Sequence, residues 1–160
     1  MTAIESVGPR LMLSPVVRVD LHRVQASARQ VVEGRHDLPS DWAGLVSDLS
    51  RELLPGWTED WLMWERNRWD QMRVYALESL AQQFQTAGQY LPALQSALAA
   101  MTVDPIRETA HRLVIEVHLA EGNVACALKR YRDYRAFLRR ELNVGPSQQM
   151  TRLVKDLAPT

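Results

Sequence analysis

Trp57, Trp61 and Trp64 recur at intervals of four and three residues, with Trp69 further on. Aromatic side chains so spaced share one side of a helix, where they either fill a core or stand out as an anchor for a partner. The helical spacing favours the core. With Trp42, the residues Trp57 and Trp61 could also wall a small-molecule pocket beside the first helices. A second cluster is cationic: Lys129, Arg130, Arg132, Arg135, Arg139 and Arg140 face only Asp133. Such a run could grip phosphates. However, Leu128, Tyr131, Tyr134 and Leu138 interleave with it at helical spacing, which buries them and leaves the bases as a solvated face. His111 and His118 lie seven residues apart with no third ligand at metal-binding spacing, so no metal site is expected. Cys126, next to Ala127, reads as a small buried apolar residue. Arg107 and Glu108 open a helix and read as ion-pairing partners within the chain. No glycine-rich phosphate loop, nucleophile elbow or metalloprotease His pair occurs. The expectation is a binding module without catalytic residues, cofactor or metal.

Composition bounds what can position these residues. The chain has 160 residues, 46% of them hydrophobic and 24% charged, with zero formal net charge. That is enough apolar material for one core without a disulfide, which the single cysteine precludes within the chain. No apolar run is long enough to span a bilayer and none has the form of a secretion signal, so a cytoplasmic location is expected. Zero net charge argues against a polyanion-binding protein as a whole. The charge is nonetheless uneven, since residues 41–65 hold Asp41, Asp48, Glu52, Glu59, Asp60 and Glu65 against Arg51.

Gly88 and Gly122 stand 34 residues apart, each a few residues before an Ala-Leu pair, Ala93-Leu94 and Ala127-Leu128. A 34-residue period of this kind marks tetratricopeptide (TPR) helical hairpins. Leu77, Leu80, Ala81 and Phe84 form one apolar stripe, and Tyr90, Ala93, Leu94, Ala97 and Ala100 form its partner. The fold class is therefore expected to be all-α, a TPR-like hairpin array of about seven helices with a short extended hairpin in residues 1–19. Residues 20–160 read as one domain: N-terminal helices over 20–56, a first TPR-like unit over 57–105, a second over 106–145, and a final helix over 146–160. Asp20, Ser40, Thr58 and Asp104 are the expected helix caps, and Gly34 the expected stop of the first helix. In TPR stacks the first helix of each hairpin lines the concave surface. Tyr75, Glu78, Gln82 and Gln85, with Thr109, Arg112 and Glu116, lie off the apolar stripes and are the candidate partner-binding residues.

A wider pattern adds to this reading. The segments Leu53-Leu54-Pro55-Gly56-Trp57, Asp60-Trp61, Glu65-Arg66, Asp104-Pro105-Ile106-Arg107-Glu108, His111-Arg112, Glu121-Gly122, Ala127-Leu128, Tyr131, Glu141-Leu142 and Pro146-Ser147 occur in order. Together they resemble the bacterial transcriptional activator domain of SARP-type antibiotic-pathway regulators, over roughly residues 10–157. The resemblance implies a regulatory domain that follows a winged helix-turn-helix, entered through a segment like Pro9 to Asp20. It implies protein partners: the winged-helix domain itself, a second protomer (hence a possible homodimer), or RNA polymerase. Sequence-specific DNA binding by this chain alone is not expected, because the basic stretch is a helix face and base readout needs an element that enters a groove. A small-molecule-sensing domain, with its pocket at Trp42, Trp57 and Trp61, is the alternative.

Overall fold

Glycine at the two repeat positions has a direct structural cause. Gly88 and Gly122 adopt φ values of 71° and 78°, the left-handed region that ends a helix and reverses the chain at little steric cost. Around these turns the computed structural model, which describes residues 3–34, 37–155 and 157, shows seven helices and one small sheet among the described residues. The outermost residues of the expected terminal segments, 1–2 and 158–160, lie outside the described residues. The order is β1 (Ile4–Val7), β2 (Arg10–Leu13), α1 (Asp20–Glu33), α2 (Trp42–Leu49), α3 (Asp60–Thr86), α4 (Tyr90–Val103), α5 (Glu108–Ala120), α6 (Val124–Leu142) and α7 (Gln148–Lys155). The chain is all-α apart from the antiparallel β1–β2 hairpin, in which Ile4 pairs with Leu13 and Val7 with Arg10.

Each helix packs on its neighbours in the manner of a hairpin array. The main interfaces are α3 on α4, α4 on α5 and α5 on α6, while α1 and α2 cover the other side of α3. The expected stripes are the core: Leu77, Leu80 and Phe84 from α3 meet Ala93 and Ala100 from α4, with Val24, Ala28 and Val31 from α1 and Leu49 from α2. Ala81 and Ala97 continue it toward Leu113 and Val114 of α5. Small residues at these crossings let the helix axes approach closely, and Ala93, Ala97 and Ala127 are all fully buried. A second cluster, built from Ile115, Ala127, Tyr134 and Leu138, is closed by Met150 and Val154 of α7. Ser147 fixes α7 in place. Its backbone N–H and its hydroxyl both donate to the Glu108 carboxylate, and its oxygen accepts from the Met150 N–H.

The caps differ from expectation. Asp41, not Ser40, caps α2 by accepting from the Gly44 N–H at 3.1 Å, and its carboxylate lies so close to residue 44 that it would have to shift to admit a Cβ there. The long helix α3 begins at Asp60 after Glu59, with no side-chain cap, so Thr58 has no capping role. Asp104 and Pro105 form a turn in which Asp104 accepts from the Ile106 N–H, and α5 starts later, after Arg107. Gly34 does end α1 in the left-handed region, with φ of 61°.

Helix α3 has 27 residues and α4 has 14. At about 1.5 Å per residue, α3 is longer by roughly 20 Å. Its first half therefore extends past α4, and the α2–α3 loop folds back along it. Three side chains of α3 hold that loop by donating to backbone carbonyls. Arg66 donates to Leu53 and Leu54, Trp69 to Arg51 at 3.1 Å, and Arg73 to Leu49 and Ser50 at 3.4 and 3.2 Å. Leu54 is kept in the left-handed region at φ 47°, a conformation that costs a branched residue energy and persists because both sides of the loop are tied down.

Candidate partner-binding site

The inward stripe of the α3 overhang is Leu62, Arg66, Trp69 and Arg73, at spacings of four, three and four, with Arg66 half-buried and the other three buried. That choice of face turns the other tryptophans outward. Trp57, Trp61 and Trp64 are 52%, 57% and 74% exposed, which corrects the expectation that they form core. The reason is specific: the loop over α3 offers carbonyl oxygens, which arginine and the indole N–H of Trp69 satisfy and which a purely apolar stripe would leave unpaired. Trp42 is separate from the ridge. It is half-buried against the edge of Phe84, with ring centroids 5.5 Å apart. The expected pocket walled by Trp42, Trp57 and Trp61 is thus overturned, and none of the three lines a described cavity. The cavity that does lie between α1, the α2–α3 loop and α3 has a volume of about 480 Å³ and is floored by Trp69 and Leu53, with Arg23 and Arg51 at its rim.

The expected concave surface is only partly assembled. Glu78 is a correction: it is 7% exposed, and its two oxygens accept from Arg107 Nε and Nη2 at 2.7 and 2.9 Å. A glutamate off the apolar stripe is buried there because α5 brings a bidentate arginine to it, and an ion pair of this geometry tolerates burial where a lone carboxylate does not. The Glu78 hydrogen bonds, opposed by burial, hold the Arg107 guanidinium above its ordinary pKa. Tyr75 is exposed, with the Arg107 guanidinium 4.4 Å above its ring. Arg112 and Glu116 pair with each other at 3.5 Å, and burial raises the Glu116 carboxyl above its usual range despite the Arg112 charge. Gln85 and Thr109 are half-buried, and Gln82 is exposed beside Val32 and Thr86. Gln83, which the sequence did not single out, donates to the Val31 carbonyl at 2.9 Å and ties α3 to α1.

The other candidates divide in the same way. Tyr134 and Leu138 of α6 are buried, Leu128 and Tyr131 are half-buried, and of the six bases all but the half-buried Arg130 are exposed. Lys129 pairs with Asp133 at 2.6 Å, which lowers the Asp133 pKa, and Arg140 pairs with Glu141 at 2.7 Å. Arg132, Arg135 and Arg139 are exposed and have no carboxylate in ion-pair range among the described residues. His111 is a core histidine. Its ring stacks on Tyr134 with centroids 3.9 Å apart, its Nε2 contacts the Pro105 carbonyl at 2.9 Å, and its Nδ1 is buried without a partner. Burial keeps the imidazole below its ordinary pKa and pushes the Tyr134 hydroxyl, which donates to the Ile106 carbonyl, up to about 12. Cys126 is exposed, contrary to expectation, because the buried stripe of α6 starts one residue later at Ala127. Arg107 and Glu108 do bond within the chain, as read, to Glu78 and Ser147.

The described helices, three of which end at left-handed glycines, with the Asp104-Pro105 turn leading Arg107 to Glu78, are matched by one family description. The sequence model for the bacterial transcriptional activator domain matches residues 19–157. The chain belongs to that family. No curated protein matches it. The activator domain is thus of the regulatory type found in transcriptional activators, and no described helix is long and apolar enough to cross a membrane.

Proposed function

We propose that this activator domain is the protein-interaction part of a SARP-type transcriptional regulator. It supports activation through contacts with the regulator's DNA-binding domain, a second protomer or RNA polymerase. It acts by binding rather than catalysis, in the cytoplasm, and does not itself read DNA sequence. The observation that carries this reading is the tryptophan ridge. Three large aromatic side chains more than half exposed are unusual on a surface with no partner, and aromatic anchors of this kind dominate protein interfaces. Every residue of β1 and β2 is also exposed, and a two-stranded hairpin is only marginally stable in water by itself. Both features fit a domain whose surface is completed by another protein.

The test is a promoter-reporter assay of the regulator carrying Trp61→Ala and Trp64→Ala. Activation should fall while the melting temperature of the isolated domain stays put, since both side chains are solvent-exposed and alanine suits a helix. Full activation by the double variant would remove the ridge from the working surface. The small-molecule-sensing alternative keeps one specific support, the cavity of about 480 Å³ over Trp69. A metabolite entering it should change the tryptophan emission of the chain, and Trp69→Phe should abolish that change.

A further inference from the structure

A trough runs between α1 and α3. Leu21, Gln25 and Arg29, at spacings of four, turn one face of α1 toward it, and Arg68, Met72 and Tyr75, at spacings of four and three, turn a face of α3. This stretch encloses about 370 Å³. The cavity of about 480 Å³ over Trp69 lies next along the same trough, because Leu21, Leu53 and Trp69 line both. Val24, Leu54 and Pro55 add apolar surface at that end. Each volume is within the roughly 300–1,000 Å³ of sites that take small molecules. Leu54, the residue with φ of 47°, is fixed at the wall of the larger cavity by Arg66, which donates to the Leu53 and Leu54 carbonyls. Strained backbone of this kind clusters at ligand clamps.

The charges along the trough are unequally matched. Asp48 is shared by Arg23 and Arg51 at 2.8 and 3.9 Å, Glu52 pairs with Arg66 at 3.5 Å, and Glu65 pairs with Arg68 at 3.3 Å. Asp20 accepts from the Leu21 N–H at 2.8 Å, at the positive end of α1. Arg29 has no carboxylate in ion-pair range among the described residues, and the Gln25 and Gln71 amides line the same cavity. An apolar floor thus leads to an unmatched guanidinium.

We propose that the trough binds a linear amphiphile with one anionic head, of the class of medium-chain acyl carboxylates and alkyl phosphates. The head pairs with Arg29, and the chain lies across Leu21, Leu53 and Trp69 into the larger cavity. This goes beyond protein interaction, and it gives the cavity on which the sensing alternative rests an occupant of stated chemistry. From Leu21 to Arg29, α1 rises roughly 12 Å, about the length of an extended ten-carbon chain. Arginine suits the head because its fork of donors fits a carboxylate or phosphate with two parallel hydrogen bonds. A cationic head would meet the Arg29 and Arg68 guanidinium groups, and a compact ring would leave one of the two cavities unfilled. Burial of methylenes supplies most of the affinity, while the ion pair at an exposed guanidinium supplies the selectivity.

Isothermal titration calorimetry of the whole chain, with probes kept far below the concentration at which they self-associate, tests this. Sodium decanoate and decyl phosphate should each bind one to one with Kd below about 1 mM, and decanol and sodium hexanoate about tenfold more weakly. Arg29→Glu should weaken decanoate about tenfold, leave decanol unchanged and keep the native melting temperature, since Arg29 is exposed. Arg29→Lys should retain most of the decanoate affinity. No saturable binding, equal affinity for decanol and decanoate, or native decanoate affinity in Arg29→Glu would each overturn the proposal. Retention on vesicles of anionic phospholipid by a chain that takes up no free decanoate would assign the surface to a membrane and also overturn it. The reporter assay separates these failures from the interaction reading. If decanoate does not bind and the Trp61→Ala, Trp64→Ala variant still loses activation, the amphiphile is lost and the interaction function stands.

Discussion

Arg107→Ala tests the least expected contact in the domain. Glu78 and Arg107 have side chains 8% and 27% exposed and share two charge-assisted hydrogen bonds of 2.7 and 2.9 Å. Truncating the arginine leaves a buried carboxylate uncompensated, which costs about 3–5 kcal/mol. Loss of its contact with the exposed Tyr75 ring adds roughly 0.5–1 kcal/mol. Against a total stability of about 5–15 kcal/mol, this is a large fraction. In a chain of 160 residues each kcal/mol moves the melting temperature by about 2–4 °C, so a fall on the order of 10 °C is expected. Circular dichroism of thermal and urea unfolding reads it, and the urea midpoint should drop with the slope unchanged. The double variant Glu78→Leu, Arg107→Met should be far milder, because removing both charges also removes their desolvation cost. The cycle of the two singles and the double then isolates the coupling. An Arg107→Ala loss below about 1 kcal/mol, or a double variant as damaging as the summed singles, would refute the argument that α5 is held on α3 by this pair.

Other outcomes follow from the same packing. Ala93→Leu, at a crossing with no room, should cost about 1–3 kcal/mol in a urea titration. The combined variant Gln82→Ala, Arg112→Ala, Glu116→Ala removes one exposed residue and both members of one ion pair, so its melting temperature should stay near the native one; a reporter assay then tells whether this surface matters for activation. His111 is held neutral by burial. The folded chain therefore resists protonation that the unfolded chain accepts below about pH 6.5, so stability should be constant above that pH and fall below it by at most about 1.4 kcal/mol per pH unit. Urea midpoints across pH 5–7 measure this slope, and His111→Phe should flatten it. Ser147→Ala removes the cap of α7 and a donor to Glu108, and should cost about 1 kcal/mol with the earliest loss of hydrogen-exchange protection in residues 148–155.

The repeat period, the left-handed glycines and the alanine crossings were legible in the chain because each follows from a local rule. Gly88 and Gly122 end helices whatever lies beyond them, and apolar stripes at 3.6-residue spacing mark a buried face wherever their partner is. The chain also suffices to place the family, whose ordered motifs are matched over residues 19–157. Which face of α3 turns inward was not decided locally. The overhang offers two candidate stripes, Trp57-Trp61-Trp64 and Leu62-Arg66-Trp69-Arg73, and the first is the more apolar. The second is buried because the α2–α3 loop lies against it with unpaired carbonyls, a demand that exists only once residues 49–54 and 66–73 meet. Glu78 is hidden for the same reason: its partner Arg107 is 29 residues away and reaches it only after α5 docks. Apolar periodicity is a property of a segment and can be read from it. Satisfaction of buried polar groups is a property of pairs, and for pairs distant in sequence the tertiary structure alone decides it.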